Sequence, residues 1–193
     1  MNRISALEQK IRDDSNNGNL YERLFADHPD EWNALCVAMD TLGDTCLALK
    51  YYQDFGIGNE EGEKYLKLYG LLQAVFLQQD AIRQLYETFL KTELRPHAGS
   101  FWMRIRELRN LTVGHPIEKG KTDTKRCFIS RVTIHSGGFQ LIVWDKAELR
   151  NDFENVDLRS IYESYKSEAI GHLQCIHQAQ VNFMQYVGKK ERW

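Results

Sequence analysis

Residues 60–91 read EEGEKYLKLYGLLQAVFLQQDAIRQLYETFLK. Within them Tyr65, Leu68, Tyr69, Leu72, Val75, Phe76, Ile82, Leu85, Tyr86 and Phe89 recur three and four apart, a near-heptad spacing held over most of the stretch. Side chains at those intervals share one face of a helix, so the spacing predicts a helix over 60–91 with a buried stripe. Leu71 and Leu77 widen the apolar surface, as suits a central helix covered on more than one side. Gly70 sits inside it at a cost of about 1 kcal/mol relative to alanine, and so small a residue often marks the close approach of another helix.

Upstream, Trp32, Leu35, Met39, Leu42, Cys46 and Leu49 form a second stripe, which predicts a helix from about Asp30 to Asp54. Gly56-Ile57-Gly58 ends it, and Asn59 suits the cap of the helix that follows. Ile4, Leu7 and Ile11 predict a short amphipathic helix over residues 1–12, broken by the turn formers of Asp13 to Asn19. Downstream, Ser100 is a suitable cap for a helix from about Phe101 to Val113, with Phe101, Ile105, Leu108 and Leu111 or Thr112 facing the core. Residues 157–187 carry a last stripe, from Leu158, Ile161, Tyr162 and Tyr165 to Val187.

Between these last two helices the pattern changes. Cys127 to Ile134 and Phe139 to Trp144 are rich in β-branched and aromatic residues and are joined by Ser136-Gly137-Gly138, which reads as a hairpin over about 126–145. The expected fold class is therefore all-α. It is an up-down helical bundle of four main helices plus a short N-terminal helix, with a β-hairpin inserted before the last helix, in a single domain spanning 1–193.

Composition narrows the function classes. The chain has 193 residues, a formal net charge of -2 and 42% hydrophobic residues, values ordinary for a soluble globular protein. No global charge favours a polyanion or a membrane, so any site for nucleic acid has to be a local basic patch. The N-terminal residues lack an apolar signal core, and no window is apolar enough for a membrane span. Cys36, Cys46, Cys127 and Cys175 form no C-x-x-C pair and read as reduced, mostly buried thiols of a cytoplasmic protein. His172 and Cys175, with His177 beyond them, have poor angular spacing and no second ligand cluster, so neither a metal site nor a cofactor is expected.

The segment Arg109-Asn110-Leu111-Thr112-Val113-Gly114-His115-Pro116 concentrates the reactive residue types. Histidine moves protons near neutral pH, and arginine forks onto phosphate oxygens. A plainer reading is also available. Gly114 suits the position just past a helix end, proline commonly follows such a stop, and basic residues complement the helix dipole there. Arg109 and His115 are six residues apart, about 240° around a straight α-helix, so they meet only if the chain turns back at Gly114-His115-Pro116.

A helix ending in Arg-Asn, then a spacer, then His resembles the R-x(4–6)-H signature of the HEPN superfamily; five residues separate Arg109 from His115. The resemblance implies a bundle of four or five helices and, in catalytic members, metal-independent RNA cleavage at a composite site formed across a homodimer interface. It implies that His115 acts on the 2′-hydroxyl or leaving oxygen, that Arg109 stabilises the phosphate, and that Asn110 orients one of them. A toxin or defence effector controlled by a cognate antitoxin or other regulator belongs to the same expectation. Some HEPN toxins carry a modified tyrosine two residues after the histidine; Ile117 stands there in this chain, which speaks against that route of control.

Arg106, one turn before Arg109, and Lys119 and Lys121 in the basic segment Glu118 to Arg126 are candidates for holding the RNA backbone, as against merely solvating the surface. Arg104 reads as solvation of the outer helix face, and the tyrosines and phenylalanines of 60–91 and 157–187 read as core before they read as stacking platforms. Two functions stand side by side: a HEPN-like endoribonuclease, and a non-catalytic helical interaction module that binds a nucleotide, an RNA or a protein partner.

Overall fold

The computed structural model describes residues 3–17, 19–117 and 125–190. Among these the chain is mainly helical, with one small three-stranded antiparallel sheet. The helices are α1 (Arg3–Asn17), α2 (Pro29–Phe55), α3 (Glu61–Leu90), α4 (Phe101–Arg109) and α5 (Leu158–Lys190). The strands are β1 (Lys125–Ile129), β2 (Phe139–Asp145) and β3 (Arg150–Val156). Two π turns, Tyr21–Phe25 and Asn110–Gly114, and a short 3-10 turn, Arg131–Thr133, complete the described elements. The chain gathers into two compact units, one from the described residues of 1–47, 77–96 and 166–193, the other from those of 48–76 and 97–165.

In the first unit the expected stripe of α2 is largely buried: Leu35, Met39, Leu42 and Cys46 are covered, while Trp32 is half-buried. Helix α1 runs to Asn17, past the expected break at Asp13, because tertiary partners satisfy its turn formers. Ser15 donates to the Ile11 carbonyl at 2.8 Å, and the buried Gln180 amide of α5 donates to Ile11 O at 3.0 Å and to Ser15 Oγ at 2.9 Å. Asp14 meets His177 at 3.0 Å. These contacts outweigh the local preference of Asp, Ser and Asn for turns.

The second unit holds the first part of α3, α4 and the sheet. Ile105, Leu108 and Thr112 are buried as expected, but Phe101 is exposed and its neighbour Trp102 fills the first turn of the buried face instead. Ser100 caps the helix as its type suggests, its side chain accepting from Met103 N at 3.2 Å. On α3, Leu68, Leu71 and Leu72 are buried, whereas Tyr69 and, further along in the first unit, Leu77 are exposed. Gly70 is exposed with nothing within 4 Å of where a Cβ would stand, so it marks no close helix approach.

The hairpin is a three-stranded sheet ordered β1-β2-β3. Cys127 pairs with Val143, and Phe139 with Val156, both antiparallel. The first strand stops at Ile129 rather than Ile134, and Arg131–Thr133 coil into the 3-10 turn before the tight turn at His135–Gly138. Strand β3 was not expected from its sequence, RNDFENV, which is polar apart from Phe153 and Val156. It is exposed except at Val156, and an edge strand of that composition carries no alternating signal. Gly138 is required where β2 begins, since a Cβ there would collide with the Val156 carbonyl.

No disulfide joins the described cysteines; of the thiols expected to be mostly buried, Cys46 and Cys127 are buried, Cys36 is half-buried and Cys175 is exposed. Burial pushes the Cys46 thiol up to about 12, which leaves it inert as a nucleophile.

Candidate functional site

The site begins where α4 stops being an α-helix. Thr112 Oγ1 donates back to the Leu108 carbonyl at 2.7 Å, a bond that bends helices, and Thr112-Val113 places two β-branched residues in succession. The chain relaxes into a π turn, closed by the His115 N–H donating to the Asn110 carbonyl at 2.7 Å. Pro116 cannot continue a helix and disfavours the helical region for the residue before it; His115 accordingly leaves the helix at φ -140°, ψ 56°.

The wider turn changes which side chains meet. Residues five apart close a π turn, and the Arg109 side chain lies over Gly114. A Cβ on Gly114 would come within 2.7 Å of Arg109 Nη1 and 3.6 Å of Asn110 Oδ1, so glycine leaves room for the guanidinium. The π turn thus alters the straight-helix spacing that separates Arg109 from His115, bringing Arg109 beside the residue that immediately precedes the histidine.

Three groups hold Arg109 in place. Its Nε donates to Gln73 Oε1 at 3.0 Å, its Nη1 donates to Asn110 Oδ1 at 3.1 Å, and its guanidinium carbon lies 4.1 Å from the Phe76 ring centroid. The Arg106 guanidinium lies over the same ring at 4.0 Å. Two cations over one aromatic face system form a local positive pair in a chain of net charge -2. Asn110 therefore orients the arginine. The His115 side chain is exposed, and among the described residues no hydrogen bond or ion pair engages its imidazole.

Arg106, Arg109 and Asn110, which the spacing sets on neighbouring positions of the helix, gather into one cluster over Phe76 and Gly114, while His115 follows Gly114 in the chain with its side chain exposed. Lys119 and Lys121 lie outside the described residues. Arg104 is no solvated bystander, because it bridges Glu107 at 2.6 Å and Glu154 of β3, tying α4 to the sheet. Gln73 and Phe76 were not anticipated as site residues, since their part depends on α3 and α4 lying side by side in this unit. Among the described residues no group of three or more His, Cys, Asp or Glu side chains could hold a metal ion, and no helix is long and apolar enough to cross a membrane.

Beside the turn lies an open groove of about 960 Å³, with Thr112 and Pro116 in its wall. Tyr65 and Tyr69 of α3 line it, their ring centroids 5.8 Å apart, facing Phe128 of β1 and Arg131 of the 3-10 turn. Burial raises the Tyr65 hydroxyl above its ordinary value, Tyr69 and Glu61 add to the shift, and the nearby Arg131 charge opposes it. The Pro116 carbonyl accepts from Cys127 N at 2.7 Å, which joins the motif turn directly to the sheet.

Comparison of the chain with protein-family models, with curated proteins and with solved structures finds no match.

Proposed function

We propose that this chain is a metal-independent endoribonuclease of the HEPN type, an up-down helical bundle that works as a homodimer. The observation that carries the reading is the π turn at Asn110–Gly114, which sets a held guanidinium over a glycine whose neighbour is an exposed histidine. An arginine fixed by an amide on either side is pre-organised for phosphate, and an exposed imidazole is available to move a proton.

In this reading His115 takes the proton of a ribose 2′-hydroxyl. The oxygen attacks the adjacent phosphorus, the bond to the 5′-oxygen breaks, and the products are a 2′,3′-cyclic phosphate and a 5′-hydroxyl. Arg109 stabilises the charge that gathers on the phosphoryl oxygens, Asn110 and Gln73 position Arg109, and Arg106 adds to the local positive field. The equivalent histidine of a second copy protonates the leaving oxygen, which is why the dimer matters. A role as a cytoplasmic toxin or defence effector, held in check by a cognate antitoxin or regulator, follows from the same proposal.

Purified protein incubated with single-stranded and structured RNA tests it. Cleavage is expected to persist in chelator and to leave cyclic phosphate ends. Arg109→Ala and His115→Ala should each lower the rate by about 10²-fold or more. Cleavage that requires a divalent metal, or that survives in the double variant, would overturn the mechanism.

One observation favours the second reading, a non-catalytic interaction module. Arg109 is already engaged by Gln73, Asn110 and Phe76, as a purely structural clasp would be. On that reading Arg109→Ala lowers stability by about 1 kcal/mol, as loss of an ordinary hydrogen-bonded contact does, and no RNA is cut by the wild-type protein.

A further inference from the structure

The groove beside the motif turn has features that the cleavage chemistry does not use. Tyr69 is 39% exposed although the α3 stripe predicts it as core, and Phe128 is 51% exposed on the facing strand. Val132, at the tip of the 3-10 turn, is 95% exposed and forms an apolar lip. Leaving large apolar side chains uncovered around one concavity costs solvation, and a contiguous patch of this kind marks a binding surface. The wall of the same groove is made partly by Thr112 and Pro116, which flank Gly114 and His115.

The chemistry of the lining selects among occupants. Aromatic faces with a cation at the rim suit an unstacked base and its phosphate: the ring takes the base, and Arg131 takes the charge. Arg126, two residues before Phe128 and on the same face of β1, adds positive charge next to the groove, while Glu61 contributes a carboxylate to its lining. A base-paired duplex keeps its bases stacked inside and offers none to such a groove.

We infer that the groove between Tyr65, Tyr69, Phe128 and Arg131 is a subsite for an unpaired nucleobase of single-stranded RNA, flanking the phosphate presented to Arg109 and His115. The inference rests on the ribonuclease reading for its orientation, and it names the substrate class of that site: single-stranded RNA or unpaired loops, with a base splayed into the groove next to the reacting phosphate.

Binding is tested apart from cleavage. The probe is a short single-stranded RNA, 2′-O-methylated throughout so that no 2′-hydroxyl can attack, and affinity is read by fluorescence anisotropy. A duplex of the same sequence serves as comparison. Tyr69→Ala is expected to weaken single-strand binding by roughly 5- to 150-fold, the range found for removing one base-stacking aromatic, while Tyr69→Phe retains it. Arg131→Ala should weaken binding and flatten its salt dependence. The duplex should bind more weakly than the single strand. Circular dichroism and thermal melts confirm that the variants are folded; Tyr69 is on the surface, so they are expected to match wild type.

Equal affinity of wild type, Tyr69→Ala and Tyr69→Phe for the single strand, or no binding by any of them, would overturn the subsite. So would self-association in sedimentation that Tyr69→Ala abolishes without any RNA binding, since the groove would then belong to a second copy. Tyr69-dependent binding in a protein that cuts no RNA leaves the subsite standing and removes the ribonuclease reading. Cleavage and binding that both ignore Tyr69→Ala do the reverse.

Discussion

Among the described residues are two π turns of five residues, Tyr21–Phe25 and Asn110–Gly114, and they are held by opposite means. In the first, Phe25 is 2% exposed, Leu20 just before the turn is fully buried, and Trp32 lies against both Phe25 and Tyr21 at centroid distances of 5.7 and 5.4 Å. Apolar burial anchors it. The second is held by polar contacts at a half-exposed position: the Arg109 guanidinium over Phe76, bonded to Gln73 and Asn110, with an exposed histidine at its end. π turns are uncommon and gather at functional sites. The contrast lies in the partners of the two turns. What distinguishes the second is that they are charged and amide groups, one of them over a glycine, with an exposed imidazole at its end.

The largest separation between the two turns should appear in activity. His115→Ala is expected to remove about 10²- to 10⁴-fold of RNA cleavage while leaving the thermal midpoint nearly unchanged, because the side chain is exposed. Phe25→Ala should act in the opposite sense, lowering stability by about 3–5 kcal/mol through the cavity it leaves, with the rate per folded molecule preserved. Denaturant unfolding alongside initial rates reads both. If Phe25→Ala slows cleavage by the folded fraction as strongly as His115→Ala, the two turns do not differ in kind.

A smaller and sharper effect is expected at Gly114. Its backbone does not adopt the left-handed conformation, so alanine is tolerated by the chain itself. The added Cβ meets the far end of the Arg109 side chain at 2.7 Å, and a flexible guanidinium moves aside more readily than backbone does. Gly114→Ala should therefore change stability by less than about 1 kcal/mol yet cut cleavage about tenfold, as a misplaced charge-stabilising group does. A variant that keeps full activity would show that the position of Arg109 over Gly114 is incidental.

The smallest effect concerns pH and lies in the unit of the first turn. His172, half-buried with its ring edge-on to Tyr86, is held below its ordinary value of 6.5, chiefly by burial, with Glu168 opposing. The unfolded chain then binds a proton more readily than the folded one, so stability declines as pH falls below about 6.5 and is level above it. His172→Phe should flatten that decline, as urea midpoints taken across acidic and neutral pH would register. The site variants should leave the slope as it is.

Much of the helical content was legible because it depends on local periodicity. The stripes of α2, α3 and α5 recur at three and four residues, and a buried helical face needs nothing more. The Ser100 cap and the stop at Gly114-His115-Pro116 were equally local. Strand β3 was not legible, since a polar edge strand is defined by its pairing with β2 and not by its own pattern. Nor was the length of α1, whose last turn rests on Gln180 and His177 some 160 residues away.

For the site the division is similar. The residue types Arg109, Asn110 and His115, the β-branched pair Thr112-Val113 and the following proline are properties of the sequence, and they determine that a helix ends there with a guanidinium and an imidazole close at hand. Only the tertiary structure decided that Gln73 and Phe76 of α3 clasp the arginine, and that Tyr69 faces a groove instead of the core. The physical reason is range. Capping, propensity and periodicity act within a turn or two of chain, whereas the position of a long, flexible arginine and the exposure of a tyrosine are set by which other elements lie beside them.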